Sequence, residues 1–256
     1  MKVSQCGDPS LRGRFCYDRQ ALMRRTFWLK TVPDSHPGVS ADRNKIQKAT
    51  VPDTGDLLEL RAAARKCRSC PLYLRATQMV FGEGERGADL VLVGEQPGDK
   101  EDVAGVPFVG PAGTVLDRAL AEVHIDRRKC YVTNAVKRFK WRAAGKRRIH
   151  QKPSAREIEA CRPWLEAEIH GVSPKVLICM GATAVRSIFR RELPILKNRG
   201  LWLSSPLCPK TLVTAHPSSV LRAPDPAQRN QEYEKLVADL AKAAEYLNPD
   251  SEVALR

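Results

Sequence analysis

The side chains best suited to chemistry in this chain are polar groups that follow short apolar runs. Gln96 and Asp99 come after the run DLVLV, Asn134 lies in CYVTNAV, and His216 follows TLVTA. Apolar runs of this length, bounded by turn residues, are typical of buried strands in a parallel sheet. Because ligands of open α/β sheets bind beyond the carboxyl ends of the strands, these four side chains are expected to face one crevice.

The turn after the first run, GEQPGDKEDVAGVPFVG, carries many of the candidate ligand groups. Its glycines let backbone N–H groups crowd a ligand, and the Gln96 amide can both donate and accept. Carboxylates follow at Asp99, Glu101 and Asp102, and Phe108 lies between turn residues. Such a pocket suits a flat polar ring such as a nucleobase. The alternative is a strand-to-helix loop with solvated acids, since short glycine patterns are weak signals.

The segment HPSSVLR, which begins at His216, brings an imidazole, two hydroxyls, an apolar side chain and an arginine into one loop. Serine hydroxyls and loop amides can hold phosphate, and Leu221 could act as a wedge in a groove. The alternative is a Ser/Pro turn with a capping histidine, and Asn134 could likewise be a turn-capping amide.

The charge balance indicates a polyanionic partner. The 256 residues include 43 Lys and Arg against 29 Asp and Glu, a formal net charge of +14, which favours nucleic acid over a basic surface without a partner. Residues 137–152 interleave cations with Phe139 and Trp141, a pattern typical of a flexible nucleic-acid-binding loop. Its candidate contacts to the DNA backbone are Lys146, Arg147 and Arg148, and His150 follows them.

The cysteines favour a metal or cluster site over disulfides. Eight cysteines in a chain with no visible secretory signal indicate a reducing compartment, with the cytoplasm as the expected location. Cys67 and Cys70 form a CxxC pair, which needs further ligands to complete a site. A thioredoxin-type redox pair is the alternative, but that pair normally lies between a strand and a helix, and this one follows a helix. No apolar run approaches the roughly 20 residues of a membrane helix, so no membrane partner is expected.

The elements that must position these residues alternate along the chain. Strands are predicted at residues 89–93, 130–136, 175–180 and 211–215, and helices at residues 57–66, 112–123, 153–170, 182–189 and 226–247. Asp56 is an expected N-cap, and Ser154 with Glu157 forms a capping box. The alternation predicts an α/β fold, a single doubly wound domain at residues 56–250 with a central four-stranded parallel sheet. Residues 1–55 are predicted to be a basic, partly disordered N-terminal extension with one short helix at residues 18–30.

Four motifs in order, GEQPGDKED, PFVGPAG, YVTNAVK and HPSSVLR, resemble the iron–sulphur (family 4) branch of the uracil-DNA glycosylase superfamily. Two features resemble its UdgX-type proteins more closely. Gln96 stands where family 4 usually has the central glycine of GEGPG, and residues 146–150 read KRRIH. UdgX-type proteins excise uracil and then stay covalently attached to the DNA. The resemblance covers about residues 57–247.

The resemblance implies a role for each strand-end residue. The Gln96 backbone and Asp99 would lie by the deoxyribose and the O2 side of uracil, and Phe108 would stack on the flipped base. Asn134 would read the polar edge of the base, and His216 would donate to O2 as the uracil anion departs. These roles suit a reaction in which preorganised donors stabilise a departing anion and the base must leave the stack. The further candidate substrate-binding residues are Gly94, Ser218, Ser219, Leu221 and Arg222.

The same resemblance implies that the residue matching His150 attacks C1′ in place of water, while a glutamate matching Glu95 orients or deprotonates it. The predicted function is therefore a uracil-DNA glycosylase that becomes crosslinked to the abasic site through His150. One alternative is a turning-over family 4 glycosylase in which His150 only contacts phosphate. The other is a non-catalytic protein that binds uracil or single-stranded DNA. The expected partner is uracil-containing DNA, preferentially single-stranded, bound by a monomer.

The resemblance also implies a structural 4Fe-4S cluster. Its cysteine ligands would be Cys67, Cys70 and Cys161, and the remaining family 4 position is occupied by Arg138, which cannot bind iron. Cys130 is the nearest other candidate in the sequence for the fourth ligand.

Overall fold

A computed structural model describes residues 46–249 of the chain. Its helices are α1 Leu57–Ala64, α2 Asp99–Ala104, α3 Pro111–Glu122, α4 Ala155–Val172, α5 Ala182–Phe189, α6 Ile195–Asn198, α7 Ser218–Arg222 and α8 Pro226–Leu247. Its strands are β1 Leu90–Gly94, β2 Cys130–Asn134, β3 Trp141–Ala144, β4 Arg147–His150, β5 Val176–Met180, β6 Trp202–Leu203 and β7 Thr211–Thr214. The helix expected at residues 18–30 lies outside the described residues.

The central sheet has the strand order β2-β1-β5-β7-β6. The first four strands run parallel, whereas the two-residue β6 pairs antiparallel with β7 at one edge. The predicted doubly wound α/β domain is confirmed. The sheet has five strands, whereas the sequence predicted four. The fifth strand, β6, was not predicted because two residues are too few to show a hydrophobic period.

Strand side chains alternate between two layers of the core. Leu90 and Leu92 pack with helices α3 and α8 on one face, whereas Val91 and Val93 pack with α4 and α5 on the other. Both faces of β1 are therefore buried, which is the reason that it reads as a continuous apolar run. Cys179 is fully buried in the second layer.

Two helix starts follow the predicted capping. The Asp56 carboxylate accepts the Leu58 N–H at 2.7 Å. Ser154 Oγ accepts the Glu157 N–H at 3.3 Å, and Glu157 Oε2 accepts the Ser154 N–H at 2.6 Å. These caps satisfy N–H groups that have no partner within the helix.

The segment before α1 already belongs to the packed structure. The Gln47 and Ala49 N–H groups donate to the Ser69 and Ala160 carbonyls at 3.0 and 2.9 Å, and Ala49 is buried. Residues 47 and 49 thus pack against the domain although they precede the predicted boundary at residue 56. The predicted character of the rest of the extension stays a prediction. No helix within residues 46–249 is long and apolar enough to cross a membrane.

The basic stretch expected to be a flexible loop contains a β-hairpin. Strands β3 and β4 pair antiparallel, with Trp141 opposite His150 and Ala144 opposite Arg147. The two-residue turn begins at Gly145, whose φ of 58° is a left-handed conformation that glycine adopts without strain. The hairpin, residues 141–150, therefore presents His150 at the end of a strand.

Candidate active site

One cavity of about 540 Å³ lies beyond the carboxyl ends of β1, β2 and β7. Parallel strands end at the same edge of a sheet, so this is the crevice that the sequence predicts. Ten of the predicted site residues line it: Glu95, Gln96, Asp99, Phe108, Asn134, His150, His216, Ser218, Leu221 and Arg222.

Phe108 forms an aromatic wall of the cavity. Its backbone φ of 56° is unusual for a residue with a bulky side chain, and its side chain is buried. Its ring stacks on the His216 ring, with centroids 5.8 Å apart and an interplanar angle of 29°. A side chain at Gly94 would collide with both the Phe108 ring and the Asn134 amide. The role of Gly94 is therefore to leave room for these two groups.

Asn134 ends β2 opposite Gly94 in the parallel register. The side chain is buried, and its Oδ1 has no hydrogen-bond partner. A buried acceptor without a partner costs about 1–3 kcal/mol. An unpaired amide on a cavity wall is a group that a bound ligand can satisfy.

A buried ion pair supports the backbone under Asn134. The Lys137 ammonium donates to the Asn134 carbonyl at 2.7 Å and forms a short contact with Glu168. The Glu168 carboxylate also accepts the Gly82 N–H at 2.7 Å and the Thr133 hydroxyl at 2.8 Å. Removing one partner of such a pair leaves an uncompensated buried charge, so this network fixes the end of β2.

His216 is held as a neutral ring with a defined tautomer. The Ser218 N–H donates to His216 Nδ1 at 3.2 Å. The Ser218 hydroxyl lies 2.7 Å from the same nitrogen and accepts from the Arg222 guanidinium at 2.8 Å. Burial, and then the nearby Arg222 and His150, lower the pKa of His216 to about 4 against the opposing effect of Glu95. Because Nδ1 accepts, the ring proton lies on Nε2.

Glu95 and His150 meet on the cavity wall. His150 Nε2 lies 3.3 Å from Glu95 Oε1, and the Thr183 hydroxyl donates to Glu95 Oε2 at 2.6 Å. Burial opposes ionisation of Glu95 most strongly. The hydrogen bonds from His150 and Thr183, together with the charges of His150 and His216, outweigh it and lower the pKa of Glu95 below its usual value. The imidazole of His150 remains half exposed, so it stays open to a ligand.

The Gln96 side chain binds the base of the hairpin. Its amide donates to the Lys140 and Gln151 carbonyls at 3.2 and 3.0 Å, and its Oε1 accepts the Lys140 N–H at 3.1 Å. All three of these hydrogen bonds are to backbone groups of Lys140 and Gln151. The Gln96 side chain therefore connects the turn after β1 to the base of the hairpin.

Arg148 lies against the protein and not at the tip of the hairpin. Its guanidinium donates to Asp99 Oδ1 at 2.5 Å and to Asp102 Oδ2 at 2.6 Å, and it lies over the rings of Phe139 and Trp141. Phe139 is buried. These two aromatic residues thus help to pack the hairpin onto the domain. A contact of Arg148 with DNA stays a prediction.

The other predicted binding residues are more exposed. Lys146 and Arg147 are exposed at the hairpin turn, and Leu221 is 41% exposed at the cavity mouth. Ser219 donates through its hydroxyl to the His216 carbonyl at 2.8 Å and thus stabilises the start of α7. Residues 218–222, expected as a loop, form this short helix.

Three of the predicted cluster ligands line a second, small cavity. Cys67, Cys70 and Cys161 share it with Arg138, whose guanidinium donates to the Cys67 carbonyl at 3.1 Å. Within residues 46–249, no three His, Cys, Asp or Glu side chains are assembled closely enough to hold a metal ion. The cavity thus offers three thiols as candidate ligands, and the Arg138 guanidinium beside them has no lone pair to offer as a fourth.

Cys130 does not fit as the fourth ligand. It begins β2 and donates to the Asp126 carbonyl at 3.4 Å, whereas the cysteine cavity includes Val136 beyond the other end of the strand. Strand geometry alone separates Cys130 from Asn134 by about 13 Å. The sequence suggested Cys130 only because it is near in the chain.

The sequence analysis did not predict the supporting contacts of two residues near the cavity. Thr183 follows β5 and holds Glu95, and the rule that ligands gather at strand ends could have found it. Glu101 accepts the Gly98 and Gly110 N–H groups at 3.0 and 2.7 Å and so fixes the loop that carries Phe108. The sequence did not indicate this role, because Glu101 is one of three acidic residues that lie close together in the chain.

Sequence comparisons with known proteins show the family of this chain. The sequence model of the uracil DNA glycosylase superfamily matches residues 81–241. The chain is 37% identical over 192 residues to the type-4 uracil-DNA glycosylase of Thermotoga maritima, covering 73% of this chain and 92% of that relative. It is 34% identical over 180 residues to the type-4 enzyme of Pyrobaculum aerophilum, covering 66% of this chain and 86% of the relative. An unpaired amide, an aromatic wall and a neutral imidazole at the strand ends thus occur in a chain that belongs to the uracil-DNA glycosylase superfamily.

Proposed function

We propose that the protein excises uracil from DNA in the active-site cavity and is then joined through His150 to the sugar that it has exposed. The single observation that carries the second step is the contact between Glu95 and His150 on the cavity wall. The excision step is supported by membership of the uracil-DNA glycosylase superfamily and by the three side chains Phe108, Asn134 and His216.

Recognition requires a base outside the stack, because the N1–C1′ bond is not accessible within a duplex. Phe108 offers a ring face for stacking. The buried Oδ1 of Asn134 lacks a partner and can accept from N3–H of uracil, whereas cytosine has an unprotonated N3. The same amide donates through its NH₂ group to the adjacent carbonyl.

Bond cleavage sends the N1–C1′ electron pair to uracil and leaves an oxocarbenium-like sugar. The Nε2–H of neutral His216 stabilises the charge that develops on uracil O2, and it acts as a preorganised donor in a partly closed site. Asp99 lines the same cavity on the side proposed for the deoxyribose.

Capture joins one nitrogen of His150 to C1′. The lone pair of the ring forms the new N–C1′ bond, and the proton that the ring then carries passes to Glu95, which is ionised and hydrogen-bonded to Thr183. Uracil has left with its electron pair, so atoms and charge balance without a further reactant. An imidazole on C1′ is a poor leaving group, and the adduct therefore persists.

A second candidate is a glycosylase that turns over, with water attacking C1′. The names of the relatives favour this candidate, because they are type-4 uracil-DNA glycosylases and do not refer to an adduct. In that case His150 would only contact the DNA backbone.

Denaturing gel electrophoresis separates these candidates. A uracil-containing single-stranded oligonucleotide is incubated with a small excess of protein, and a matched thymine oligonucleotide serves as the control. A band of higher mass that resists denaturation supports capture. Cleavable abasic product without that band supports turnover, and unchanged oligonucleotide would refute excision.

The hairpin turn should contribute to the salt dependence of the initial binding. Lys146 and Arg147 are exposed there, whereas Arg148 is engaged by Asp99 and Asp102. Replacing both exposed cations by alanine should reduce the slope of log K against log salt by about 1.4, since each contact to single-stranded DNA contributes roughly 0.7. The measurement is fluorescence anisotropy with an oligonucleotide that lacks uracil.

Lys129 and Lys175 provide the control for that measurement. Both are exposed cations that immediately precede parallel strands, at the edge of the sheet opposite the cavity. Their double alanine variant should keep the wild-type slope. An equal loss of slope in both double variants would show a general charge effect and no contact at the hairpin turn.

We also propose that Cys67, Cys70 and Cys161 hold an iron–sulphur cluster with a structural role. Protein purified without air should absorb near ~400 nm and contain iron and sulphide. Cys161→Ala should lose most of the iron, whereas Cys130→Ala, at the opposite end of β2, should retain it. Colourless, iron-free protein with full excision activity would contradict this proposal.

A further inference from the structure

The end of β7 is held by a buried carboxylate. Thr214, the last residue of the strand, is fully buried and donates its hydroxyl to Asp239 Oδ2 at 2.6 Å. The same oxygen accepts from Nε and Nη2 of Arg199 at 3.1 and 2.9 Å. The Gly181 N–H donates to the Thr214 carbonyl at 2.9 Å. The strand end two residues before His216 is therefore fixed through both its side chain and its carbonyl.

Asp239 is the one charged residue on an otherwise largely apolar face of its helix. The buried residues of α8 are Tyr233, Leu236, Asp239, Leu240, Ala243 and Ala244. An ion pair in such a place is weak evidence for stability, because apolar side chains of similar volume often serve as well. The specific consequence of the acid is its hydrogen bond to the strand end, which an apolar side chain cannot form.

The strand end at Asn134 has the same kind of support. The Thr133 hydroxyl donates to the buried Glu168 carboxylate of α4 at 2.8 Å, as the Thr214 hydroxyl does to Asp239 of α8. The two helices pack on opposite faces of the sheet. The two strand ends that carry the amide and the neutral imidazole of the cavity are thus each tied, through a threonine hydroxyl, to a buried acid.

We infer that Asp239 is a positioning residue for His216 and acts through Thr214. The inference rests on the proposed excision step, in which the His216 Nε2–H donates to uracil O2. Such a donor is effective only where it already points at the atom on which charge develops, so a shift of the strand end weakens it. Neither Asp239 nor Thr214, both in the described part of the chain, lines the cavity. Loss of their contact should therefore change the rate of excision and not the binding of DNA.

Thr214→Val tests the contact with the least disturbance. It removes the hydroxyl, keeps the shape of the side chain and leaves Asp239 paired with Arg199, whereas an Asp239 variant would leave a buried charge without its partner. The maximal single-turnover rate of uracil release should fall roughly tenfold, less than the about 10²–10³-fold expected when a whole donor is removed. The protein concentration that gives half of this rate should stay the same. Thr214→Ser restores the hydroxyl and should restore the rate.

Thr211→Val is the matched control. Thr211 lies at the other end of the same strand, is equally buried, and donates its hydroxyl to Ser205 Oγ and the Cys208 carbonyl, both at 2.8 Å. Its valine variant should excise at the wild-type rate. An equal loss of rate in the two valine variants would show a general effect of a lost buried hydroxyl and would overturn the inference. A wild-type rate in Thr214→Val would overturn it as well.

Nuclear magnetic resonance of the histidine rings separates failure of this inference from failure of the proposed function. The chain has five histidines, and His216→Ala identifies the His216 signal in protein labelled on the ring nitrogens. That signal should shift in Thr214→Val and match the wild type in Thr211→Val and Thr214→Ser. An unshifted signal in Thr214→Val would overturn the positioning role whether or not the protein releases uracil. If the signal shifts as expected but the wild-type protein releases no uracil, the excision step is wrong and the positioning contact stands.

Discussion

The His150→Ser variant should release uracil over many turnovers and form no covalent adduct. Serine removes the imidazole that meets Glu95 on the cavity wall, while Phe108, Asn134 and His216 stay in place for excision. Water can then reach C1′, and the product dissociates. The adduct should fall below detection on a denaturing gel, whereas the number of uracils released per protein molecule should rise above one.

Two further variants test whether loss of the adduct is specific to His150 and its contact with Glu95. His170→Ser changes an exposed histidine at the end of α4 and should form the adduct at the wild-type rate. Glu95→Ala removes the carboxylate that accepts the ring proton in the proposed capture step, and it should impair capture at least as much as excision. Peptide mapping should place the sugar on the peptide that contains His150. A different mapped residue would exclude His150 as the nucleophile.

The His216→Ala variant should lose more of the uracil excision rate than the His150→Ser and Glu95→Ala variants. In the proposed reaction its ring provides the Nε2–H donor for the uracil anion, and removal of a comparable donor slows other enzymes by about 10²–10³-fold. Single-turnover release of labelled uracil measures the loss directly. Crosslinking should decline with it, because no abasic sugar forms for His150 to attack.

The protonation state of His216 gives a second test of its role. Burial holds its pKa at about 4, so the ring stays neutral when the pH falls through the range in which free histidine titrates, near 6.5. Measured in the His150→Ser protein, the excision rate should therefore show no inflection near pH 6.5. An inflection there would indicate that protonated His216 takes part. His170→Ala controls for the loss of a histidine elsewhere in the fold.

The strand ends of this fold could be placed from the sequence because each one follows a buried apolar run. Asn134 and His216 are brought together by the parallel sheet itself, and that arrangement requires only the order of strands and helices. The edge strand β6 escaped prediction because two residues cannot show a period.

The contacts that position the hairpin could not be predicted, because they join side chains far apart in the chain. Arg148 reads as one cation among several in a basic stretch, yet it forms ion pairs with Asp99 and Asp102. Gln96 reads as a ligand group, yet its amide is occupied by backbone atoms of Lys140 and Gln151. In both cases residue type indicates bonding capacity, and only the folded geometry selects the partner.

The two ends of the hairpin already touch each other. The Gln151 N–H donates to the Lys140 carbonyl at 2.9 Å, so the chain enters and leaves the hairpin at nearly the same point. Replacing residues 141–150 by a short turn would leave the loop closed between the same two ends, and the entropy of closing a loop changes only slowly with its length. The proposed capture of DNA thus depends on a hairpin that the sheet does not need, so removal of the hairpin should abolish capture and leave the parallel sheet intact.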